Sequence, residues 1–152
     1  MARAHQKPIT ENRKARFNYF IEDEYEAGLV LTGTEVKSLR MGRAHLKDAY
    51  AVIRNGEVFI QQMHIGPYPF AYYDNHAPER PRKLLLHKHE IKRLLGKVNE
   101  RGYSLVPLRL YFKEGRVKVA LALARGKKTI DKRETIRRRD EKRDLDRARK
   151  EH

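Results

Sequence analysis

The sequence predicts a mainly β protein: an OB-type β-barrel with two or three short flanking helices and a basic C-terminal tail that is disordered in isolation. Three observations predict it. First, Ala49–Ile53 and Glu57–Met63 read as strands joined by Arg54-Asn55-Gly56-Glu57, and Asn-Gly supplies the two positive φ angles that a type I′ hairpin turn demands. Second, Val106, Leu108, Leu110 and Phe112 alternate with Pro107, Arg109, Tyr111 and Lys113. After Glu114-Gly115, Val117, Val119, Leu121 and Leu123 alternate with Lys118, Ala120, Ala122 and Ala124, which makes a second hairpin with one apolar face on each strand. Third, residues 125–152 hold only Ile130, Ile136, Leu145 and Ala148 as apolar residues, too few to offset the ordering entropy of that length. Five or six strands with two modest helices suit a small closed or nearly closed barrel, a shape that often binds nucleic acid on a strand face. An open α+β sheet fits the same string.

The elements follow in order. Met1 to about Arg13 is polar and loose. Phe17–Leu31 mixes aromatic and branched apolar residues with acids, and Gly28 interrupts it, as in a long bent strand. Gly33-Thr34 offers a break and an N-cap before Glu35-Val36-Lys37-Ser38-Leu39-Arg40, a short helix closed by Gly42 with Val36 and Leu39 toward the core. Residues 65–81 contain Pro67, Pro69, Pro78, Pro81 and several aromatics, and read as a long loop. Lys83–Leu86 is a short apolar strand. His87 to about Arg101 is helical, with Ile91, Leu94, Leu95 and Val98 at spacings of three and four and Gly102 as the stop.

Composition narrows the function. The 152 residues include 35 Lys+Arg against 20 Asp+Glu, a formal charge of +15. The body, 1–124, carries 22 basic and 13 acidic residues; the tail, 125–152, carries 13 and 7. A basic body with a basic tail points to two contact regions on nucleic acid, both salt-dependent through counterion release. The tail has no Pro and no Gly after Gly126, and Glu134/Arg138 and Asp146/Lys150 stand four apart with the acid first, so it is expected to turn helical against a stabilising surface. The chain has no cysteine, which excludes disulfides, a thiolate nucleophile and Cys-ligated zinc. It has no run approaching the ~20 apolar residues that cross a bilayer, and no apolar stretch near Met1 to serve as a signal peptide. The expectation is a soluble intracellular protein with a polyanionic partner, no cofactor and no membrane.

Several constellations need weighing. Glu35-Val36-Lys37 has the Glu-x-Lys spacing of some Mg²⁺-dependent nucleases, but it reads as helix, where its side chains diverge. His87-x-His89 with Glu90 resembles a metal-ligand pair; at a helix entrance, residues two apart point about 200° apart. Glu22-Asp23-Glu24 with Glu26 is an acidic cluster that either lines a solvated strand edge or accepts hydrogen bonds from RNA. Tyr68, Phe70, Tyr72 and Tyr73, near Arg80, Arg82 and Lys83, either stack on bases or cover the barrel end. No nucleophile–base–orienter set is present, so the expectation is a non-enzyme.

Segments in order carry a family resemblance: Asn12-Arg-Lys-Ala-Arg16, Tyr25-Glu-Ala-Gly28, Gly33-Thr-Glu-Val-Lys-Ser-Leu-Arg40, Arg82-Lys-Leu-Leu-Leu86, Gly126-Lys-Lys128 and Asp131-Lys-Arg133. Together they resemble the SmpB (SsrA-binding) family of bacterial trans-translation across essentially the whole chain. The resemblance implies an RNA-binding adaptor in the cytoplasm. Such an adaptor binds the tRNA-like domain of tmRNA and accompanies alanyl-tmRNA, with elongation factor Tu and GTP, to ribosomes stalled on truncated messages. It implies that the tail folds as a helix in the empty mRNA channel of the small subunit, near the decoding centre. The implied tmRNA-binding residues are Asn12, Glu26, Leu85 and His87, with His87 standing where many members carry Asn and retaining a ring donor and acceptor. The implied ribosome-directed residues are Gly126, Lys127, Lys128, Asp131, Lys132 and Arg133. Ile130 stands where many members carry His, and the chain lacks an apolar pair near Ala148-Arg149, so distal anchoring of the tail is expected to be more electrostatic. Two alternatives remain: a general structured-RNA or ribosomal protein without preference for tmRNA, and the Mg²⁺-dependent nuclease.

Overall fold

The computed structural model describes residues 8–71, 73–100 and 102–150, with backbone only at 129–131 and 150. Tyr72, Arg101 (the expected end of the 87–101 helix), residues 1–7 and residues 151–152 therefore lie outside the described residues. In chain order the elements are β1 (Thr10–Glu11), α1 (Ala15–Asn18), β2 (Tyr19–Leu29), α2 (Gly33–Arg40), β3 (Ala44–His45), β4 (Tyr50–Arg54) and β5 (Glu57–Gln61). They continue with β6 (His64–Ile65), β7 (Arg82–Leu85), α3 (Lys88–Val98), β8 (Tyr103–Lys113), β9 (Arg116–Gly126) and α4 (Thr129–Lys150).

The strands close on themselves. The sheet runs β8-β4-β5-β7-β2-β9, and β9 pairs back onto β8, which makes an antiparallel barrel of OB type rather than an open sheet. β1 is added beside the second half of β8, through Thr10↔Leu110 and Glu11↔Arg109. The expected loose N-terminus is therefore ordered from β1 onward. β3 and β6 form a separate small ladder. Both hairpins turn through paired left-handed residues, Asn55 (φ 51°) with Gly56 (φ 76°) and Glu114 (φ 52°) with Gly115 (φ 76°). The bend expected in β2 is a register shift between Ile21 and Asp23, short of Gly28, where the strand changes its hydrogen-bonded neighbourhood to meet β7.

Alternation along β8 misleads about its faces. A register shift between Pro107 and Arg109 leaves Leu108 unpaired, so Val106 and Leu108 face outward while Leu110 and Phe112 face inward with Leu105. The barrel core joins Ala27, Val58, Ile60, Leu84, Leu110, Val119, Leu121 and Leu123, and α2 and α3 each add one leucine, Leu39 and Leu94. Outside the barrel, Val106, Leu108, Tyr111, Ala120, Ala122 and Ala124 form a second core with Ala15 of α1. Both faces of β9 are thus buried, where the alternation predicts one apolar face.

Three local departures have plain causes. Thr32, not Thr34, caps α2: its hydroxyl accepts from the Glu35 N–H (3.4 Å) while the Glu35 carboxylate accepts from the Thr32 N–H (2.9 Å). The Thr34 hydroxyl bonds His76 Nδ1 at 2.9 Å instead. Val36 is only half-buried, because the face of α2 that turns inward carries Glu35, Ser38 and Leu39. Residues 125–126 belong to β9, and 129–150 form one helix, the conformation expected of the tail on a surface. Pairs at helical spacing support it: Arg137 with Glu134 (4.0 Å) and Glu141 (3.9 Å), and Arg138 with Glu134 (3.9 Å).

Candidate nucleic-acid interface

Glu26 lies on the outward face of β2, opposite Ala120 of β9. Ala120 is too small to fill the space above its strand, so side chains of β2 and β8 meet across it. The Tyr111 hydroxyl donates to Glu26 Oε2 at 2.6 Å, and Lys113 Nζ reaches Oε1 at 3.0 Å. The Tyr111 hydrogen bond, aided by Lys113, holds the Glu26 carboxyl below its ordinary pKa despite partial burial. Glu26 is therefore a pre-aimed carboxylate on an exposed face. Two residues further along β2, Gly28 pairs with Leu85 of β7. A Cβ at Gly28 would stand 3.3 Å from the Leu85 Cβ, so glycine here lets Leu85 lie flat over β2 with half of its surface exposed. His87 follows as the N-cap of α3, its backbone N–H held by Glu90 at 3.1 Å.

Glu26, Leu85 and His87 thus share one outward surface at the β2–β7 junction. Asn12 does not join them: it sits beyond β9 and β8, at the end of β1, and its side-chain N–H donates to the Pro107 carbonyl at 3.1 Å.

The acidic cluster is internally compensated rather than open to bases. Glu24 pairs with Arg16 (3.3 Å) and Arg109 (3.5 Å), and Glu22 accepts from the Tyr103 hydroxyl at 2.9 Å. The Arg109 guanidinium also stands over the Tyr111 ring at 5.9 Å. In the sequence Tyr111, Lys113 and Arg109 stand out only as the residues that alternate with the apolar ones of β8; the signal for their role is the alanine face of β9, which permits contact between strands two apart.

Tail residues gather at the opposite end of β9. Gly126 pairs with Tyr19, six residues beyond Ala120, or ~20 Å at strand rise. Lys127 is a fastener: its N–H donates to Asn18 O (2.8 Å), and its Nζ reaches Arg16 O (3.0 Å) and Thr135 Oγ1 (2.9 Å) and lies 5.0 Å from the Phe20 ring centroid. Lys128 and Arg133 are exposed, Lys132 is half-buried, and Asp131 is described by its backbone alone within α4.

The remaining constellations resolve structurally. Glu35 is fully buried and its carboxylate is taken by Arg80, Arg82 and the Thr32 N–H, while Lys37 stands over the Tyr68 ring at 5.5 Å; the Glu-x-Lys triplet is a clamp. Burial alone would raise the Glu35 pKa, but those bonds outweigh it and hold the carboxyl below the ordinary range. The His87 and His89 rings stack at 5.5 Å and 11°, not splayed, because His87 has an extended backbone (ψ 147°) outside the helix. The 65–81 loop is pinned by Asn75 to Tyr68 and by His76 to Ile65 O (2.9 Å), leaving Phe70 and Tyr73 exposed. No described helix is long and apolar enough to cross a membrane.

The SmpB protein family model matches residues 9–151. The chain belongs to the SmpB family. That family comprises RNA-binding proteins rather than enzymes, which removes the nuclease alternative. The SsrA-binding protein of Syntrophobacter fumaroxidans is 64% identical over 142 residues, covering 93% of this chain and 88% of its own. That of Desulforudis audaxviator is 58% identical over 148 residues, covering 97% of both. A chain of the solved structure "tmRNA-SmpB: a journey to the center of the bacterial ribosome" is 53% identical with a TM-score of 0.66, covering 78% of this chain and 84% of that one.

Proposed function

We propose that this chain is a cytoplasmic, non-catalytic adaptor of ribosome rescue that binds the tRNA-like domain of tmRNA. It would accompany alanyl-tmRNA, with elongation factor Tu and GTP, to stalled ribosomes. The observation that carries the reading is the common surface of Glu26, Leu85 and His87: an apolar contact for a base or sugar beside a carboxylate fixed by Tyr111 and Lys113. In this reading α4 enters the empty mRNA channel of the small subunit and reports the absence of message to the decoding centre, with Gly126, Lys127, Lys128, Asp131, Lys132 and Arg133 at its root. The ~20 Å between Glu26 and that root along β9 supports separate partners for the two regions.

The test is equilibrium binding to the tRNA-like domain against an ordinary tRNA of similar length, at low and near-physiological salt. A tmRNA preference that survives the higher salt is expected. Equal binding that collapses with salt would leave a general structured-RNA binder. Glu26→Ala should weaken tmRNA binding in a folded protein, and deletion of 129–152 should leave tmRNA affinity nearly unchanged while stopping peptide tagging. Tagging by the truncated chain would reduce the tail to a solubiliser.

A further inference from the structure

We infer that the cleft at the seam between β4 and β8 is a second RNA contact, built to take one unstacked nucleotide of a single-stranded segment. A single residue pair, Ala51 with Leu105, joins these strands, whereas ten pairs join β8 to β9. β1 then takes over the neighbouring stretch of β8 at Arg109 and Leu110. Around that single pair the wall parts, and a cleft of about 570 Å³ opens between residues 50–53 of β4 and residues 103–106 of β8. That size lies within the ~300–1,000 Å³ of small-molecule sites. A stem, whose bases are paired inward, has nothing to insert there; an unstacked base does.

The lining suits that occupant. Lys14 and Lys47 are both exposed at the cleft and make no ion pair among the described residues, so two cations are available to a phosphate. Asn12 uses its side-chain N–H on Pro107 and keeps its carbonyl oxygen as an acceptor. Asp48, held at φ 62°, adds a carboxylate able to accept from an exocyclic amine or a ribose 2′-hydroxyl. Tyr50 is 41% exposed on the β4 side, and Tyr103 stands on the β8 side with its hydroxyl fixed by Glu22 at 2.9 Å. Two rings, two cations and two acceptors around an apolar floor are the parts from which base-stacking sites are made. The cleft also gives Asn12, which lies apart from Glu26, Leu85 and His87, partners of its own.

The inference relies on the proposed role only for the class of ligand, and its test is separable from that role. Full-length protein is titrated with a pentaribonucleotide carrying 4-thiouridine at its centre, and with a blunt RNA hairpin, both at ~0.15 M salt. Photocrosslinks are then mapped by peptide. The pentanucleotide should bind more tightly than the hairpin stem and crosslink to the Tyr50 or Tyr103 peptide. Tyr50→Ala should lower its affinity about 5- to 100-fold, Tyr50→Phe should retain it, and Glu26→Ala should leave it unchanged. Tyr50 is part-exposed, and a thermal melt confirms that its variants fold. Crosslinks on the Phe70–Tyr73 loop or on the tail, equal binding of the stem, or an unchanged Tyr50→Ala would each overturn the inference. Loss of tmRNA preference with these results intact would overturn only the adaptor role.

Discussion

Arg82 should be the most costly single charge to remove from this protein. It is fully buried at the start of β7, paired with the buried carboxylate of Glu35, and it donates to Met63 O at 2.6 Å and Pro78 O at 3.0 Å. Arg82→Leu strands that carboxylate with Arg80, itself a third exposed, and the Thr32 N–H, and it deprives two carbonyls of their donor. Breaking one side of a buried pair costs about 3–5 kcal/mol. The residual Arg80 contact argues for the lower end and the two carbonyls for the upper, so about 4 kcal/mol is expected. Glu35→Leu should cost a similar amount, since it leaves Arg82 buried without a counter-charge. The double variant Glu35→Leu/Arg82→Leu should cost clearly less than the sum, with a coupling of roughly 1–3 kcal/mol. Urea unfolding followed by circular dichroism reads all three, provided the m-value stays constant. The acid limb supplies an independent reading. The Glu35 carboxyl is depressed in the folded state, so its contribution is complete above the ordinary value of 4.5 and is lost as pH falls through the lower folded value. Wild type should therefore lose stability on acidification more steeply than Glu35→Leu. Single variants each costing under ~1 kcal/mol, or a strictly additive double variant, would refute the clamp.

Three further outcomes are expected. Tyr111→Phe removes the 2.6 Å donor to Glu26, so the Glu26 carboxyl should titrate closer to 4.5 in a side-chain NMR titration and tmRNA affinity should fall while the fold persists; an unmoved titration contradicts the assignment. Ala120→Leu places a branched side chain in a site only 3% exposed between Glu26 and Tyr111, and should cost about 1–3 kcal/mol in urea unfolding and raise the Glu26 pKa as Tyr111→Phe does. Gly96→Ala adds a methyl into open space within α3 and should add about 0.5–1 kcal/mol of stability, read as a higher urea midpoint at constant m-value; a lower midpoint would show that the helix needs glycine there.

What could be read from the sequence followed from how local each signal is. Asn55-Gly56, Glu114-Gly115 and the apolar spacing of α3 act within a few residues, and their elements stand where expected. Val106, Leu108, Leu110 and Phe112 alternate without fault, and only the second core outside the barrel reveals the bulge that turns two of them outward. The buried Glu35 was equally hidden, because its partners Arg80 and Arg82 come from the far end of the long loop and from just past it. Glu26, Leu85 and His87 were named through resemblance; their adjacency follows from Gly28↔Leu85, a pairing across more than fifty residues that no local pattern encodes. Tyr111 escaped notice because it lies two strands from Glu26, with an alanine between.

β9 links the Glu26 surface to the tail. Its alanine face lets β2 and β8 build the carboxylate network at Glu26, and its last residues carry the chain into α4. At 22 residues the helix is ~33 Å long. The Lys127 bonds at its root and Arg139 over the Phe17 ring at 5.9 Å, within its first three turns, attach it to the body. An exposed cation–π contact contributes roughly 0.5–1 kcal/mol, and each helical ion pair about 0.3–0.5 kcal/mol. Contacts of that size keep the helix formed near the barrel without committing it there. A polyanionic groove that releases several counterions readily exceeds them. In the proposed role the basic charge of α4 would favour its transfer from a basic body to RNA, and the ~20 Å between its root and Glu26 would let that transfer leave the Glu26 surface undisturbed.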